Sequence, residues 1–399
     1  MHKNTVALKQ TRVKTGDLLQ LMLDGTARTK TELIELTGLA RSTVTGQVDQ
    51  LVSLGLLRVG GESSSTGGRP PSRFVFNEKA SIIAGIDLGA THGIVALADL
   101  SGTLIDSERS SIHITEGPHR VLSWATKTLT KLLSKNNLTE ASLGGIGIGV
   151  PGPVEFSTGR PISPPIMPGW DKYDIPAHIQ TQFNVPVLVD NDVNVLAVGE
   201  HSTVWKDTSD FIFVKVSTGI GAGIISGGAL QRGSQGSAGD LGNVAVPYST
   251  DSPRDPLDQR NLESIAGGPA IAAQLKEAGL DAEGSHDVVQ LLQSGNPEAI
   301  AATRQAGREL GESLVWVVSL LNPSVIAIGG CISRAGEHLL AGVREVVYKK
   351  SIPLASQHLT IVQSQTGSLA GALGATIMVT KHILSPEYVD ALLEKQAVE

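Results

Sequence analysis

A small helical head in front of two related α/β lobes is the fold class that this 399-residue sequence predicts. Three observations lead to it. Residues 1–76 carry the apolar spacing and tight turns of a winged helix-turn-helix. Two glycine-rich strand–turn–strand loops then follow, one starting at Asp87 and one at Ser217. From Ser81 onward the chain consists of short β-branched runs separated by glycines, with aromatics at only 4%, the composition of an α/β protein.

The length exceeds one ordinary domain. The boundaries predicted are a head over 1–76, with a Gly/Ser-rich wing and linker at 60–72, a first lobe over 77–200 and a second over 201–399. Residues 1–76 hold ten Lys/Arg against six Asp/Glu, a surplus of +4, which leaves −11 for the remainder of a chain whose net charge is −7. A basic head on an acidic body fits nucleic-acid contact confined to the head. No apolar run is long enough to span a bilayer and the N-terminus is polar, so a cytoplasmic protein with no membrane partner is expected. Cys331 is the single cysteine, which excludes an internal disulfide and any multi-cysteine zinc cluster.

Within the head, Leu18, Leu19, Met22 and Leu23 predict a first helix. Thr31 is the expected N-cap of a second helix over 32–37, which Gly38 ends. A third helix over 41–54 turns Val44, Val48, Leu51 and Val52 inward. Its opposite face offers Arg41, Ser42, Thr43, Thr45 and Gln47, short polar side chains suited to base edges and phosphates in a major groove. Residues 55–59 and 74–76 read as the wing strands. Between them, Gly67-Gly68-Arg69-Pro70 lets the backbone approach closely while Arg69 enters a narrow minor groove.

In the body, residues 82–87 and 94–100 predict a hairpin. Asp87 ends its first strand, where a carboxylate could hold Mg²⁺ through water, and Gly89 and Thr91 could cradle phosphate. The same logic recurs where the strand 211–216 enters Ser217-Thr218-Gly219-Ile220-Gly221-Ala222-Gly223. Residues 325–328 then run into Gly329-Gly330, a strand end suited to the adenosine side of a nucleotide cleft. Between the loops, a buried strand delivers Asn191 and Asp192 to its C-terminal end, where α/β proteins place ligands. Asp192 suits a general base for a sugar hydroxyl attacking a γ-phosphate, with Asn191 orienting the sugar; the alternative is that Asp192 caps the following helix. Residues 295–321 predict a long helix with Ala301, Leu310, Leu314 and Val317 inward, and residues 386–399 a last amphipathic helix or a frayed end.

Taken together, Asp87-Leu-Gly-Ala-Thr91, Pro151-Gly-Pro-Val154, Asn191-Asp192, 217–223, Ser237-Ala-Gly-Asp-Leu-Gly242 and Gly329-Gly330 resemble the ROK family of repressors, open reading frames and sugar kinases. The resemblance implies a two-lobed actin-like/hexokinase-like (ribonuclease H-like) body assembled as a homodimer or homotetramer. Members with an N-terminal winged helix are sugar-responsive repressors that bind a double-stranded DNA operator, and 67–70 looks like their linker.

The family pattern continues as Glu-x-Gly-His, a zinc-binding cysteine cluster and a final Glu. Here Asp240 and Asn243 stand at the first two positions, residues 244–262 hold no cysteine, and Glu263 matches the last. No zinc is therefore expected. Asp240, Asn243 and Glu263, with Asn191, Asp192, Gly159 and Arg160, make the expected pocket for a sugar or sugar phosphate. Arg160 reads equally as an anion ligand or as half of a surface ion pair. The regulator is the leading reading. The alternative is an ATP-dependent sugar kinase with a regulatory head, in which Mg-ATP binds at Asp87, Gly89, Thr91, Thr218, Gly219, Gly221, Gly329 and Gly330.

Overall fold

The computed structural model describes residues 13–62, 72–245 and 260–396. Its head is built from α1 (Thr15–Gln20), β1 (Arg28–Thr29), α2 (Lys30–Thr37), α3 (Arg41–Ser53), β2 (Leu57–Glu62) and β3 (Ser72–Phe76), with the strands in a sheet ordered β1-β3-β2. The second helix starts one turn's edge earlier than Thr31 suggests. Thr29 is its cap: the Thr29 hydroxyl accepts from the Glu32 amide at 3.2 Å and the Glu32 carboxylate accepts from the Thr29 amide at 2.6 Å. This reciprocal box satisfies two otherwise unpaired helix-start donors. Arg73 of β3 reaches the same Glu32 at 3.0 Å, which ties the sheet to α2. Gly38 ends α2 at φ +68°, a conformation that favours glycine.

Two side chains of α3 differ from expectation. Gln47 points inward, 8% exposed, and donates to the Val13 carbonyl at 2.9 Å, so it leaves the polar face. Val52 is exposed, because the inward stripe closes with Leu51. Arg41, Ser42 and Thr43 are exposed and Thr45 is half-buried. Residues 67–70, including Arg69, lie outside the described residues.

The first lobe comprises β4 (Ile82–Leu88), β5 (Gly93–Asp99), β6 (Leu104–Ser110), α4 (Pro118–Lys135), β7 (Leu143–Val150), β8 (Val154–Glu155), β9 (Arg160–Pro161), α5 (Ile175–Gln180), β10 (Val187–Asn191) and α6 (Asp192–Val204). The second comprises β11 (Phe211–Val216), β12 (Ile220–Ser226), β13 (Ala229–Gln231), α7 (Glu263–Ala266), α8 (Gly268–Glu277), α9 (Ser285–Gln293), α10 (Pro297–Leu321), β14 (Val325–Gly329), α11 (Cys331–Arg334), α12 (His338–Lys350), α13 (Pro353–Ser356) and β15 (Thr360–Gln363). The chain closes with α14 (Ala370–Ile383) and α15 (Pro386–Gln396).

The two five-stranded sheets repeat one plan. Their orders are β10-β7-β4-β5-β6 and β15-β14-β11-β12-β13. In each, three antiparallel strands are followed by two parallel ones, and a helix leaves the last strand. The helices in equivalent places are α6 and α14, and they cross between the sheets. A Cβ on Gly199 of α6 would lie 2.0 Å from the Ala370 carbonyl, and one on Gly374 of α14 would lie 1.7 Å from the Val195 carbonyl. Bare backbone therefore meets bare backbone. On the far side of each helix glycines again permit contact: Gly85 and Gly147 of the first sheet under α14, and Gly223 of the second under α6.

This crossing corrects the boundary at 201–399. Residues 370–396 do not stay with the second lobe. Helix α14 lies on the first sheet, and α15 packs on α1 of the head, where the Gly16 amide donates to Asp390 at 2.9 Å and Gln20 donates to the Leu384 carbonyl at 2.7 Å. Leu18, Leu19 and Met22 of the head share one apolar cluster with Ile83, Val379, Ile383 and Val389. The last helix is thus an anchor rather than a frayed end. In α10 the inward stripe is Thr303, Ala306, Leu310, Leu314 and Val318, leaving Ala301 exposed and Val317 half-buried.

Gly374→Ala should destabilise the protein by about 3 kcal/mol or more, since the added methyl meets rigid backbone. Gly46→Ala in α3, which meets nothing within 4 Å, should be neutral or stabilise by up to about 1 kcal/mol. Urea unfolding of the two variants checks both signs.

Candidate functional site

The cleft between the lobes is made by the ends of β4, β10 and β11. Parallel strands end there, and each delivers a charged side chain: Asp87, Asp192 just past β10, and Lys215. Asp192 opens α6 at its first position, while Asn191 is the cap, its Oδ1 accepting from the Val193 amide at 2.9 Å. The Asn191 side-chain Nδ2 donates to the Gly152 carbonyl at 2.9 Å, holding the Pro151–Val154 turn. Asn191 thus spends one side-chain N–H and one Oδ1 lone pair on backbone, which fixes its orientation at the end of β10. Asp192 is freed from the capping role and is buried.

Lys215 was not anticipated. Its Nζ donates to Asp192 Oδ2 at 2.5 Å, with the two side chains 21% and 5% exposed. Burial opposes the ammonium, but attraction to Asp192, reinforced by Asp87, holds the Lys215 pKa above the ordinary lysine value. Asp87 is pushed up to about 7 by burial and by the Asp192 carboxylate, against the pull of Lys215 and Arg109. Its carboxylate lies so close to Gly371, near the start of α14, that a Cβ there would come within 2.4 Å. His92 faces it, Nε2 to Oδ2 at 4.0 Å, and is pushed down to about 4 by burial and by repulsion from Arg109 and Lys215.

The glycine turns are shorter than the sequence suggests. In the first, Gly89 donates to the His92 carbonyl at 2.8 Å and the His92 ring lies over Gly89, where a Cβ would fall 2.3 Å from it; Thr91 is exposed. In the second, only Ser217, Thr218 and Gly219 form the turn, and β12 begins at Ile220. Gly221 therefore pairs with Lys215 in the sheet and packs on Val193, a correction to its place among the phosphate-binding residues. Thr218 is exposed at the tip. Gly329 packs against the Phe213 ring, and Gly330, at φ +95°, approaches the Val216 carbonyl so closely that a Cβ would sit 2.0 Å away. Ser217 and Cys331 meet across these ends, Oγ to Sγ at 3.1 Å.

The remaining pocket candidates form two further groups. Glu263 accepts from the Ile220 amide at 2.9 Å and braces the second turn, so one of its carboxylate oxygens is engaged in backbone support. Asn243 donates to both oxygens of Asp240, at 3.1 and 2.9 Å, and accepts from Asn261 at 3.1 Å, an exposed polar cluster on the second lobe. Arg160 is the surface ion pair: it donates to Asp174 at 2.5 Å with both side chains over a third exposed. Gly159, at φ +68°, turns the β8–β9 hairpin over Pro176 and Val189.

Two further carboxylates escaped the sequence reading. Asp190, 3% exposed, pairs with Arg232 of the second lobe at 2.7 Å, and the Arg232 guanidinium stacks 3.8 Å from the Phe156 ring centroid. Glu200 is fully buried and accepts from Ser364, the Gln365 amide and Thr366, fixing the passage from β15 to α14. Both hold the lobes in register. A charge inside an otherwise apolar segment was their only sequence signal, as it was for Lys215 in Phe-Val-Lys-Val.

With this duplicated cleft in view, the family profile described as ROK family matches residues 83–382. The chain belongs to the ROK family. Among its ROK relatives, a protein named xylose repressor from Caldicellulosiruptor bescii is 29% identical over 391 residues, covering 93% of this chain and 96% of its own. A glucokinase from Halalkalibacterium halodurans is 27% identical over 321 residues, covering 76% of this chain and 96% of its own. The solved structure of a ROK family transcriptional regulator, titled a homologue of the Escherichia coli MLC protein, superimposes with a TM-score of 0.79 at 21% identity, over 95% of this chain and 98% of that one. The two-lobed actin-like/hexokinase-like architecture is thereby shared.

Asp87 gives a pH signature. Folded, it binds its proton up to about 7 against 3.8 in the unfolded chain, so its contribution to stability declines as pH rises from about 4 to 7. Asp87→Asn removes that decline. The stability difference between variant and wild type should grow across this window by up to about 4 kcal/mol, at about 1.4 kcal/mol per pKa unit, and stay flat above it. Thermal melts at successive pH values check this; a flat difference throughout would mean that Asp87 ionises like an exposed carboxylate.

Proposed function

We propose that this chain is a sugar-responsive transcriptional repressor acting in the cytoplasm. Its head reads an operator as a winged helix-turn-helix, and its body binds a sugar or sugar phosphate that releases the DNA. The observation that carries the reading is the shared core of head and body: α15 packs on α1, and α15 follows directly from α14, one of the two hinge helices. A head built into the hinge serves a ligand that alters lobe closure.

Relatives support it. The xylose repressor matches nearly the whole chain, head included, whereas the glucokinase matches a share close to that of the body alone. The sugar would sit beside Asp192, with Asp240 and Asn243 closing over it from the second lobe and Glu263 shaping the turn. Closure turns α6 against α14 and carries α15 and the head with it. Arg41, Ser42, Thr43 and Thr45 face the major groove, and Arg69 a minor groove. Exposed Trp316, Leu320, Leu321, Ile352 and Leu354 form an apolar surface on α10 and α13 that suits a homodimer, which sets two heads a helical turn of DNA apart. Among the described residues no helix is long and apolar enough to cross a membrane.

A sugar kinase with a regulatory head is the second reading, favoured by the retained Asp192 and both glycine turns. Lys215 opposes it. A general base must be free to take a proton, and Asp192 is held by an ammonium at 2.5 Å.

The test is DNA binding of the full chain to fragments from its own promoter region, with a panel of pentoses, hexoses, amino sugars and their phosphates. One sugar or sugar phosphate should weaken binding at least about tenfold, a coupling of about 1.4 kcal/mol. Arg41→Ala should cost about 1–3 kcal/mol in operator affinity, and Arg69→Ala should lower the salt slope by about one. Ligand binding without any change in DNA affinity, or sugar-dependent ADP release from Mg-ATP lost in Asp192→Asn, would replace this reading by the second.

A further inference from the structure

A second space between the lobes lies away from the strand ends. It is a cavity of about 330 Å³, at the lower end of the roughly 300–1,000 Å³ of small-molecule sites. Its α6 wall is Val198, His201 and Ser202, six to ten residues past Asp192 and so about 9–15 Å further along the helix. Its α14 wall is Met378, Lys381 and His382, seven to eleven residues past Gly371, against which Asp87 lies. Among the described residues it shares no lining side chain with the strand-end site. Facing these helices are Leu188 of β10 from the first lobe and Ile225 and Leu230 of β12 and β13 from the second. Both lobes and both crossing helices therefore contribute to it.

The lining divides into an apolar part and a cationic part. Leu188, Val198, Ile225, Leu230 and Met378 supply the first. None of the lining residues is acidic, in a chain whose net charge is −7. Arg232 closes one side but is already committed. It pairs with Asp190 at 2.7 Å and lies 3.8 Å over the Phe156 ring centroid. Lys381 is exposed at the rim and has no carboxylate within ion-pair distance among the described residues. One uncommitted ammonium beside an apolar chamber suits a single negative charge on an apolar skeleton. A phosphate monoester carries about two negative charges at pH 7 and calls for more than one free cation.

We infer that this cavity is a second ligand site and that it takes a small organic carboxylic acid with an apolar skeleton. An occupant touches both lobes, so it binds best at the lobe angle of this structure and opposes a change in that angle. It also touches the end of α14 that leads to the head. There His382 stacks on Tyr388 of α15, ring centroids 5.1 Å apart, and α15 packs on α1. The regulatory consequence, a shift in operator affinity, rests on the repressor reading; the site itself does not.

The test is calorimetric titration of the full chain with 2-naphthoate, a flat apolar ring system bearing one carboxylate. Saturable binding is expected at a Kd below about 1 mM. The uncharged 2-naphthamide and the doubly charged 2-naphthyl phosphate should each bind at least about threefold more weakly, and Lys381→Met should weaken naphthoate by the same factor. Ser202→Phe, which fills the chamber from α6, should abolish binding. Thermal melts without ligand establish that each variant is folded, and Lys381, being exposed, is replaced without disturbing the core. At saturating naphthoate, operator affinity should change at least about fivefold in wild type and stay constant in Ser202→Phe. No saturable binding in that range, equal binding of the amide, or unchanged binding in the folded variants would overturn the site. Tighter binding of the phosphate overturns the assignment of a carboxylic acid. Intact naphthoate binding with no operator response overturns the regulatory consequence alone. Absence of any operator binding is a failure of the repressor reading, and the calorimetric result then still decides the site.

Discussion

The contact on which the rest of the molecule depends is the crossing of α6 and α14 at Gly199 and Gly374. With a Cβ excluded on both sides by carbonyls at 2.0 and 1.7 Å, the helices approach as backbone cylinders. That closeness lets one pair of helices serve two sheets at once. A larger residue at either position would push the helices apart and separate the strand ends that bring Asp87, Asp192 and Lys215 together. Small residues at a crossing also leave few side chains to interlock, so rotation about it is opposed chiefly by the buried ion pair of Asp190 with Arg232 and by the four donors around Glu200. The crossing is closely packed, and these two groups tie the lobes together beside it.

Charge in the cleft follows from that geometry. Two strand ends and one helix start converge, and each arrives with a titratable side chain in a poorly hydrated space. An isolated buried carboxylate pair would shed charge by protonation. Here Lys215 supplies the compensating charge for Asp192, and the second carboxylate, Asp87, moves toward neutrality. Lys215 of β11 thus holds one carboxylate of these strand ends in an ion pair and pulls against the rise in the other.

How much of this was legible in the sequence depends on whether a signal was local. Glycine turns, strand runs and the Gly38 helix stop are local, and the hairpin at 82–100, the third head helix and the strand into Asn191 lie where the pattern put them. Thr29 was missed as a cap because Thr31 offers the same chemistry two residues later, and the choice is made by Glu32 bonding back to Thr29. Gln47 was misplaced because period alone puts it between faces, and its inward turn depends on a carbonyl from residue 13. The commitments of Asp192 to Lys215, Arg160 to Asp174 and Glu263 to Ile220 are pairings across 23, 14 and 43 positions. No spacing rule reaches them. What each of these residues does is decided by tertiary contacts.

A far longer pairing ties the head to the body. Gly16 meets Asp390 across 374 positions, so the head closes on the last helix of the chain, where a flexible tether alone would have left the two free. A tether would transmit nothing, since a ligand can bias the head only if the head's contacts differ between open and closed lobes. Couplings of that kind are typically about 1–3 kcal/mol, the scale of one buried apolar side chain gained or lost at about 1.5–3 kcal/mol. Leu18, Leu19 and Met22 share their core with Val379 and Ile383 of a hinge helix. A shift that uncovers even one of them is enough to set the preference. Under the repressor reading proposed above, a movement of α14 would reach the head through this shared core.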